Sequence, residues 1–243
     1  MRILIIRHGD PDYENDTLTE KGHREAALLA ERLSGEDIKK IYVSPLGRAR
    51  ATAEYTMRKK GMEATVCTWL REFPVMVHRP EMEEGQKEVL WDWLPADWTE
   101  IDEFYDKDKW ADVPIFKEAG AREVYDQVAS GLDNLLAEHG YVREGRYYRA
   151  ENSNSDTIAI FCHFGLECVL LSHLFGISPM SLWHGFCAPT TSVTTVYTEE
   201  RRRGIASFRA FGFGDVSHLY AGGEPASFSA RWCETYDTPG QRR

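Results

Sequence analysis

Short, unbroken apolar runs that end abruptly in polar or ionisable side chains constrain the fold more than any other feature of the chain. Ile3-Leu4-Ile5-Ile6 runs straight into Arg7-His8-Gly9, Ile41-Tyr42-Val43 into Ser44-Pro45, and Ile158-Ala159-Ile160-Phe161 into Cys162-His163. A run without polar alternation suits a strand buried on both faces, and such strands belong to parallel-type sheets covered by helices on each side. Thr19 opens a helix carrying Ala26, Ala27, Leu29, Ala30 and Leu33 at helical spacing, and Ser34-Gly35 closes it. A second helix spans Arg48, Ala49, Thr52, Ala53 and Tyr55. Thr65-Val66-Cys67 reads as a short strand, 122–139 and 166–175 as helices, and 192–198 and 205–211 as two alternating strands. The charged stretch 199–204, with Arg201, Arg202 and Arg203, reads as the solvated turn between those two strands. Strand–helix alternation predicts an α/β fold, a three-layer α/β/α sandwich around a largely parallel sheet.

The 243 residues suit a single domain spanning 1–243. From about 74 to 120 the character changes: Trp91, Trp93, Trp98 and Trp110 are interleaved with acids, and no strand is evident. This stretch reads as an irregular or helical insertion, serving either as an active-site lid or as a surface excursion. The tail 230–243 carries no readable motif.

A formal charge of -10 repels polyanions, so neither nucleic acid nor an anionic membrane is an expected partner. Five scattered cysteines without a CxxC pair argue against a disulfide framework or a zinc site and suit a reducing cytoplasm. The N-terminal apolar run is too short for a signal-peptide core, and no later stretch approaches a membrane span. Oligomeric state is not legible; a homodimer is one option.

Phosphoryl transfer to a side chain needs a nucleophile, fixed positive charge, an acid for the leaving group and a rigid frame. Arg7 and His8 project from the carboxyl end of a buried strand, where α/β folds place ligands. A neutral imidazole can attack phosphorus when its other nitrogen is fixed by a hydrogen bond. Arg7 offers a planar fork suited to phosphate oxygens, and Gly9 removes a Cβ from their path. Arg48 falls in the first turn of its helix, where an arginine is electrostatically misplaced unless it faces an anion. Arg50 reads as a surface arginine. His163 ends a third strand at the same sheet edge.

The motifs occur in order along the chain. Arg7-His8-Gly9 resembles the signature that names the histidine phosphatase superfamily, the phosphoglycerate-mutase-like group. Leu18-Thr19-Glu20-Lys21-Gly22-His23-Arg24-Glu25-Ala26 is similar to its Leu-Thr-x-x-Gly-x-x-Gln/Glu-Ala helix, and Ser44 to Ala53 to its Ser-Pro-Leu-x-Arg-Ala-x-x-Thr-Ala motif. Cys162-His163-Phe164-Gly165 resembles the second histidine motif, with Phe164 where a small residue is usual. Ala188-Pro189-Thr190-Thr191-Ser192-Val193 and Asp215-Val216-Ser217-His218-Leu219 resemble the closing strand and ending. The resemblance implies that His8 is the nucleophile, and that Arg7, Arg48 and His163 bind the phosphoryl oxygens. It implies that Glu72, in Leu70-Arg71-Glu72, is the leaving-group acid. Glu81, Glu83 and Glu84 are rivals, because the glycine-rich sequence usual after that glutamate is missing. His218 is expected to be structural.

The expected function is hydrolysis of a small phosphorylated metabolite through a phosphohistidine, with no metal and no cofactor. One alternative is a cofactor-dependent phosphoglycerate mutase, disfavoured by the short stretch between Gly9 and Leu18. Another is a protein-phosphate binding or regulatory module on the same scaffold.

Overall fold

The computed structural model describes residues 1–229, 231–238 and 240–241. Ala230, Pro239, Arg242 and Arg243, all in the unassigned tail, lie outside the described residues.

The elements run in chain order as β1 (Arg2–Arg7), β2 (Pro11–Asp12), β3 (Thr17–Leu18), α1 (Glu20–Ser34), β4 (Ile38–Val43), α2 (Gly47–Lys60) and β5 (Ala64–Val66). There follow β6 (Met76–Val77), β7 (Glu88–Val89), α3 (Pro95–Trp98), α4 (Pro114–Glu118), α5 (Ala121–Glu138), β8 (Tyr141–Glu144), β9 (Tyr147–Ala150) and β10 (Thr157–Cys162). The last are α6 (Phe164–Phe175), α7 (Pro179–Gly185), β11 (Val193–Arg202), β12 (Ile205–Asp215) and α8 (Ser217–Ala221). Thr19 caps α1 as expected, its side chain accepting from the Gly22 N–H.

An eight-stranded sheet has the order β5-β4-β10-β1-β11-β12-β9-β8. β5, β4, β10 and β1 pair in parallel, and β11, β12, β9 and β8 continue the sheet antiparallel. β1 and β10 are buried along nearly their whole length, which is what their unbroken apolar sequences require. On one face Leu29 and Leu33 of α1, with Ala49 and Ala53 of α2, pack on Leu4, Ile6, Ile41, Val43 and Phe161. The other face is covered by α5, α6 and α7. Register pairs Arg7 with Cys162 and Phe161 with Val43, so His8, Ser44 and His163 leave three neighbouring strands at one edge.

Two expectations are corrected. The 74–120 stretch does contain strands, the two-residue pair β6 and β7. Its Phe104, Trp110 and Phe116 are completely buried within the main cluster beside α5 and α7. Second, 199–202 belongs to β11, and only Arg203 and Gly204 make the turn; Glu199 reaches both Arg201 and Arg209 on this ribbon. The short stretch after Gly9 folds into the small β2–β3 hairpin.

Candidate active site

His8 lies one residue beyond β1, yet its backbone is held on both sides. Its N–H donates to Cys162 O at 3.0 Å and its carbonyl accepts from Thr191 N at 3.1 Å. Its ring Nδ1 sits 2.8 Å from Gly9 O. A carbonyl only accepts, so Nδ1 carries the hydrogen and Nε2 keeps a free lone pair. Burial, then the Arg7 and Arg48 charges, hold this imidazole well below its ordinary pKa. The ring is therefore neutral near pH 7. The close approach that Gly9 permits is to α1: a Cβ there would lie 2.9 Å from Gly22 O. Gly9 N also donates to Thr52 Oγ1 on α2 at 2.9 Å, so both helices of this layer brace the loop after His8.

His163 is fully buried, its ring centroid 5.1 Å from that of His8 and tilted by 56°. Its Nε2 lies 2.8 Å from Ser44 Oγ, which already accepts from Leu46 N at 3.2 Å. Ser44 Oγ has a second lone pair as well as its hydrogen, so it either donates to His163 Nε2 or accepts from it; the ring hydrogen is on Nδ1 in the first case and on Nε2 in the second. That Nδ1 is buried without a protein partner. Burial, then the neighbouring His8 ring and the Arg48, Arg7 and Arg71 charges, depress its pKa.

Arg7 is buried, with Nη1 donating to Ala188 O at 2.7 Å and Nε unpartnered. Arg48, in the first turn of α2, donates from Nη1 to Asp16 Oδ1 at 2.7 Å and also leaves Nε buried and unpartnered. Buried polar groups are almost always satisfied. Arg7 Nε and Arg48 Nε are unmet donors and His163 Nδ1 is an unmet ring nitrogen, and the three residues act on one another electrostatically, a set that fits an anion with several acceptor oxygens. Arg50 is exposed, as expected.

Glu72 follows a single 3-10 turn after β5. Its Oε1 accepts from Phe73 N and from Leu166 N, each at 2.9 Å, and Oε2 accepts from Gly165 N at 3.4 Å. Burial raises its pKa, against the pull of those N–H groups and of Arg7 and Arg48. Oε2, with only one long bond, is the oxygen free to carry a proton. Glu72 thus sits on the segment that follows His163. Glu81 pairs instead with Arg79, at 3.0 Å, while Glu83 and Glu84 are exposed. A Cβ on Gly165 would lie 2.7 Å from both Glu72 Oε1 and Trp91 Nε1. The 74–120 stretch therefore reaches the site through Trp91, which packs edge-on to Phe164 with centroids 5.8 Å apart.

His218 is buried, with Nε2 3.1 Å from Thr191 Oγ1 and Nδ1 3.4 Å from Arg32 Nη1, a bracing position between the C-terminal segment and the residue that holds the His8 carbonyl. Reading the sequence missed Ser44, Asp16, Thr52, Trp91 and Glu167. Ser44 and Thr52 lie inside a motif that was visible, each four residues from Arg48, and that spacing was the available signal. Glu167, in the first turn of α6, is completely buried, and neither carboxylate oxygen has a well-formed hydrogen bond. Burial pushes its pKa up to about 7, with the Thr194 hydroxyl and Arg7 acting the other way.

Among the described residues no group of three His, Cys, Asp or Glu side chains is placed to hold a metal ion, and no helix is long and apolar enough to cross a membrane. The family model for the histidine phosphatase superfamily (branch 1) matches residues 3–210. Phosphoserine phosphatase 1 of Hydrogenobacter thermophilus is 23% identical over 220 residues, covering 84% of this chain and 90% of that protein. A 2,3-bisphosphoglycerate-dependent phosphoglycerate mutase of Thermoplasma acidophilum is 43% identical over 61 residues, 21% of this chain and 30% of that protein. The crystal structure of a phosphoserine phosphatase mutant of Entamoeba histolytica with phosphoserine superposes with a TM-score of 0.57 at 18% identity, covering 90% of this chain and 98% of that one.

Proposed function

The chain belongs to the histidine phosphatase superfamily, and from that membership we propose that it hydrolyses a small phosphomonoester in two steps through a phosphohistidine on His8. The observation that carries this reading is the neutral His8, its Nδ1 locked on Gly9 O, together with the buried and unmatched Arg7 Nε, Arg48 Nε and His163 Nδ1. In the first step the Nε2 lone pair forms the N–P bond while the P–O ester bond breaks. Glu72 delivers its proton to the departing oxygen and becomes a carboxylate. Arg7, Arg48 and His163 meet the charge on the phosphoryl oxygens, fixed in place before the reaction starts. In the second step Glu72 takes a proton from water as its oxygen attacks phosphorus. The P–N bond breaks, inorganic phosphate leaves, and both His8 and Glu72 return to their starting protonation states.

The whole-length relative named a phosphoserine phosphatase favours a small phosphorylated metabolite as substrate. A mutase reading is kept alive by the short stretch of mutase identity and by Trp91 and Phe164 at the site. A mutase must keep water from its phosphoenzyme, whereas a phosphatase admits it in line with the P–N bond. The short β2–β3 hairpin leaves little material to hold a second acceptor hydroxyl. The test is a panel of phosphorylated metabolites assayed for phosphate release, together with 3-phosphoglycerate plus a bisphosphoglycerate primer. Steady release without primer is expected. Rapid primer-dependent interconversion with negligible release would overturn the phosphatase reading in favour of the mutase.

A further inference from the structure

Arg48 does not stand alone in its pocket: a carboxylate holds it. Asp16 ends the β2–β3 hairpin turn with φ of 46°, in the left-handed region that residues other than glycine seldom adopt. Its backbone is pressed against α2, so that a Cβ on Gly47 would lie 2.1 Å from Asp16 O. Its side chain then spans the start of that helix. Oδ2 accepts from Gly47 N at 2.6 Å, and Oδ1 accepts from Arg48 Nη1 at 2.7 Å. α2 has no side-chain cap of its own and no acid in its first turn. Asp16 therefore supplies, from another loop, the negative charge that a helix N-terminus attracts. Burial pushes its pKa up, but the Gly47 N–H and the Arg48 guanidinium outweigh this and hold the carboxyl below its ordinary range, so it is ionised at neutral pH. On its other side the Arg48 guanidinium lies 5.4 Å from the ring of Tyr13, from the same hairpin.

We propose that Asp16 is a positioning residue of the phosphoryl site: it fixes the Arg48 fork for catalysis and, as a resident anion sharing that fork, weakens the hold on phosphate so that product leaves. This rests on the reading of Arg48 as a phosphoryl-binding residue. With Nη1 committed to Asp16, the guanidinium cannot swing about its long stem, and its unpartnered Nε keeps one orientation. The same carboxylate opposes any second anion brought up to Arg48. Orientation and affinity are thus set in opposite directions by one side chain, a combination that a purely structural residue would not produce.

The experiment measures kcat and KM for p-nitrophenyl phosphate and Ki for inorganic phosphate in Asp16→Asn, Asp16→Gly and Arg48→Ala. Asp16→Gly tolerates the positive φ at no steric cost, so it removes the charge without backbone strain and serves if the asparagine variant folds poorly. The expected result in both Asp16 variants is a Ki for phosphate lower by about fivefold together with a kcat lower by about tenfold. A Ki that stays put or rises along with KM would overturn the proposal. An Arg48→Ala enzyme with unchanged Ki and kcat would instead refute the underlying assignment of Arg48, and so separates the two failures.

Discussion

At the scale of single residues, the chemistry turns on which nitrogen of each histidine is left without a hydrogen bond. His8 Nδ1 is bound to Gly9 O and His163 Nε2 to Ser44 Oγ, so His8 keeps a lone pair on Nε2 and His163 keeps its Nδ1 unpartnered. Glu72 completes the set as a carboxyl whose pKa is raised by burial. If it protonates the leaving oxygen, Glu72→Gln slows alkyl phosphate hydrolysis by about a hundredfold or more. p-Nitrophenyl phosphate, whose leaving group needs no proton, is slowed far less. Comparing kcat on the two substrates checks this, and equal losses would remove the acid role from Glu72. Arg7, His8, Arg48 and His163 were legible in the sequence as candidates because Arg7 ends a buried strand and each of the others follows one within five residues. Asp16 and Trp91 were not: the first acts through a left-handed backbone conformation, the second through a contact across more than seventy residues of chain.

At the scale of elements, the parallel strands were legible and the small pieces were not. β1, β4 and β10 announce themselves by continuous apolar sequence, and α1 and α5 by helical spacing. β6 and β7 are two residues each and α3 and α4 no more than five, too short for a period of 2.0 or 3.6 to register. The tryptophans of that stretch were visible, but composition does not say which of them reaches the core, as Trp110 does, and which the active site. α6 carries a separate consequence. Its continuous apolar sequence is interrupted by Glu167, buried behind Arg7 and Glu72. With a folded pKa of about 7 against an ordinary 4.5, the native state holds a proton that the unfolded chain releases between those values. Stability is therefore lost as pH rises through that window. Glu167→Gln removes this loss, so its advantage over the parent grows from pH 4.5 to pH 7 and then levels, reaching on the order of 2 kcal/mol. Denaturant melts of both proteins at pH 5 and pH 8 check it; an equal difference at the two pH values would contradict the account of a desolvated carboxyl.

At the scale of the whole molecule, a chain of net charge -10 concentrates buried positive charge at one edge of its sheet. A field of that sign repels polyanions, and a small ester is the substrate class proposed for Arg7, Arg48 and His163. The fold class and the edge that bears the site were readable because parallel strands flanked by helices leave few arrangements. The antiparallel half of the sheet was only partly readable, since the β8–β9 hairpin carries no clear alternation against its neighbours. The proposed mechanism rests on one covalent event at the carboxyl end of β1. Rapid quenching of the enzyme with a radiolabelled phosphomonoester tests it directly. The account predicts an acid-labile, alkali-stable label on the peptide that contains His8, formed and lost at rates compatible with turnover and absent in His8→Ala. Continued turnover by His8→Ala, with no label on that peptide in the parent, would contradict it.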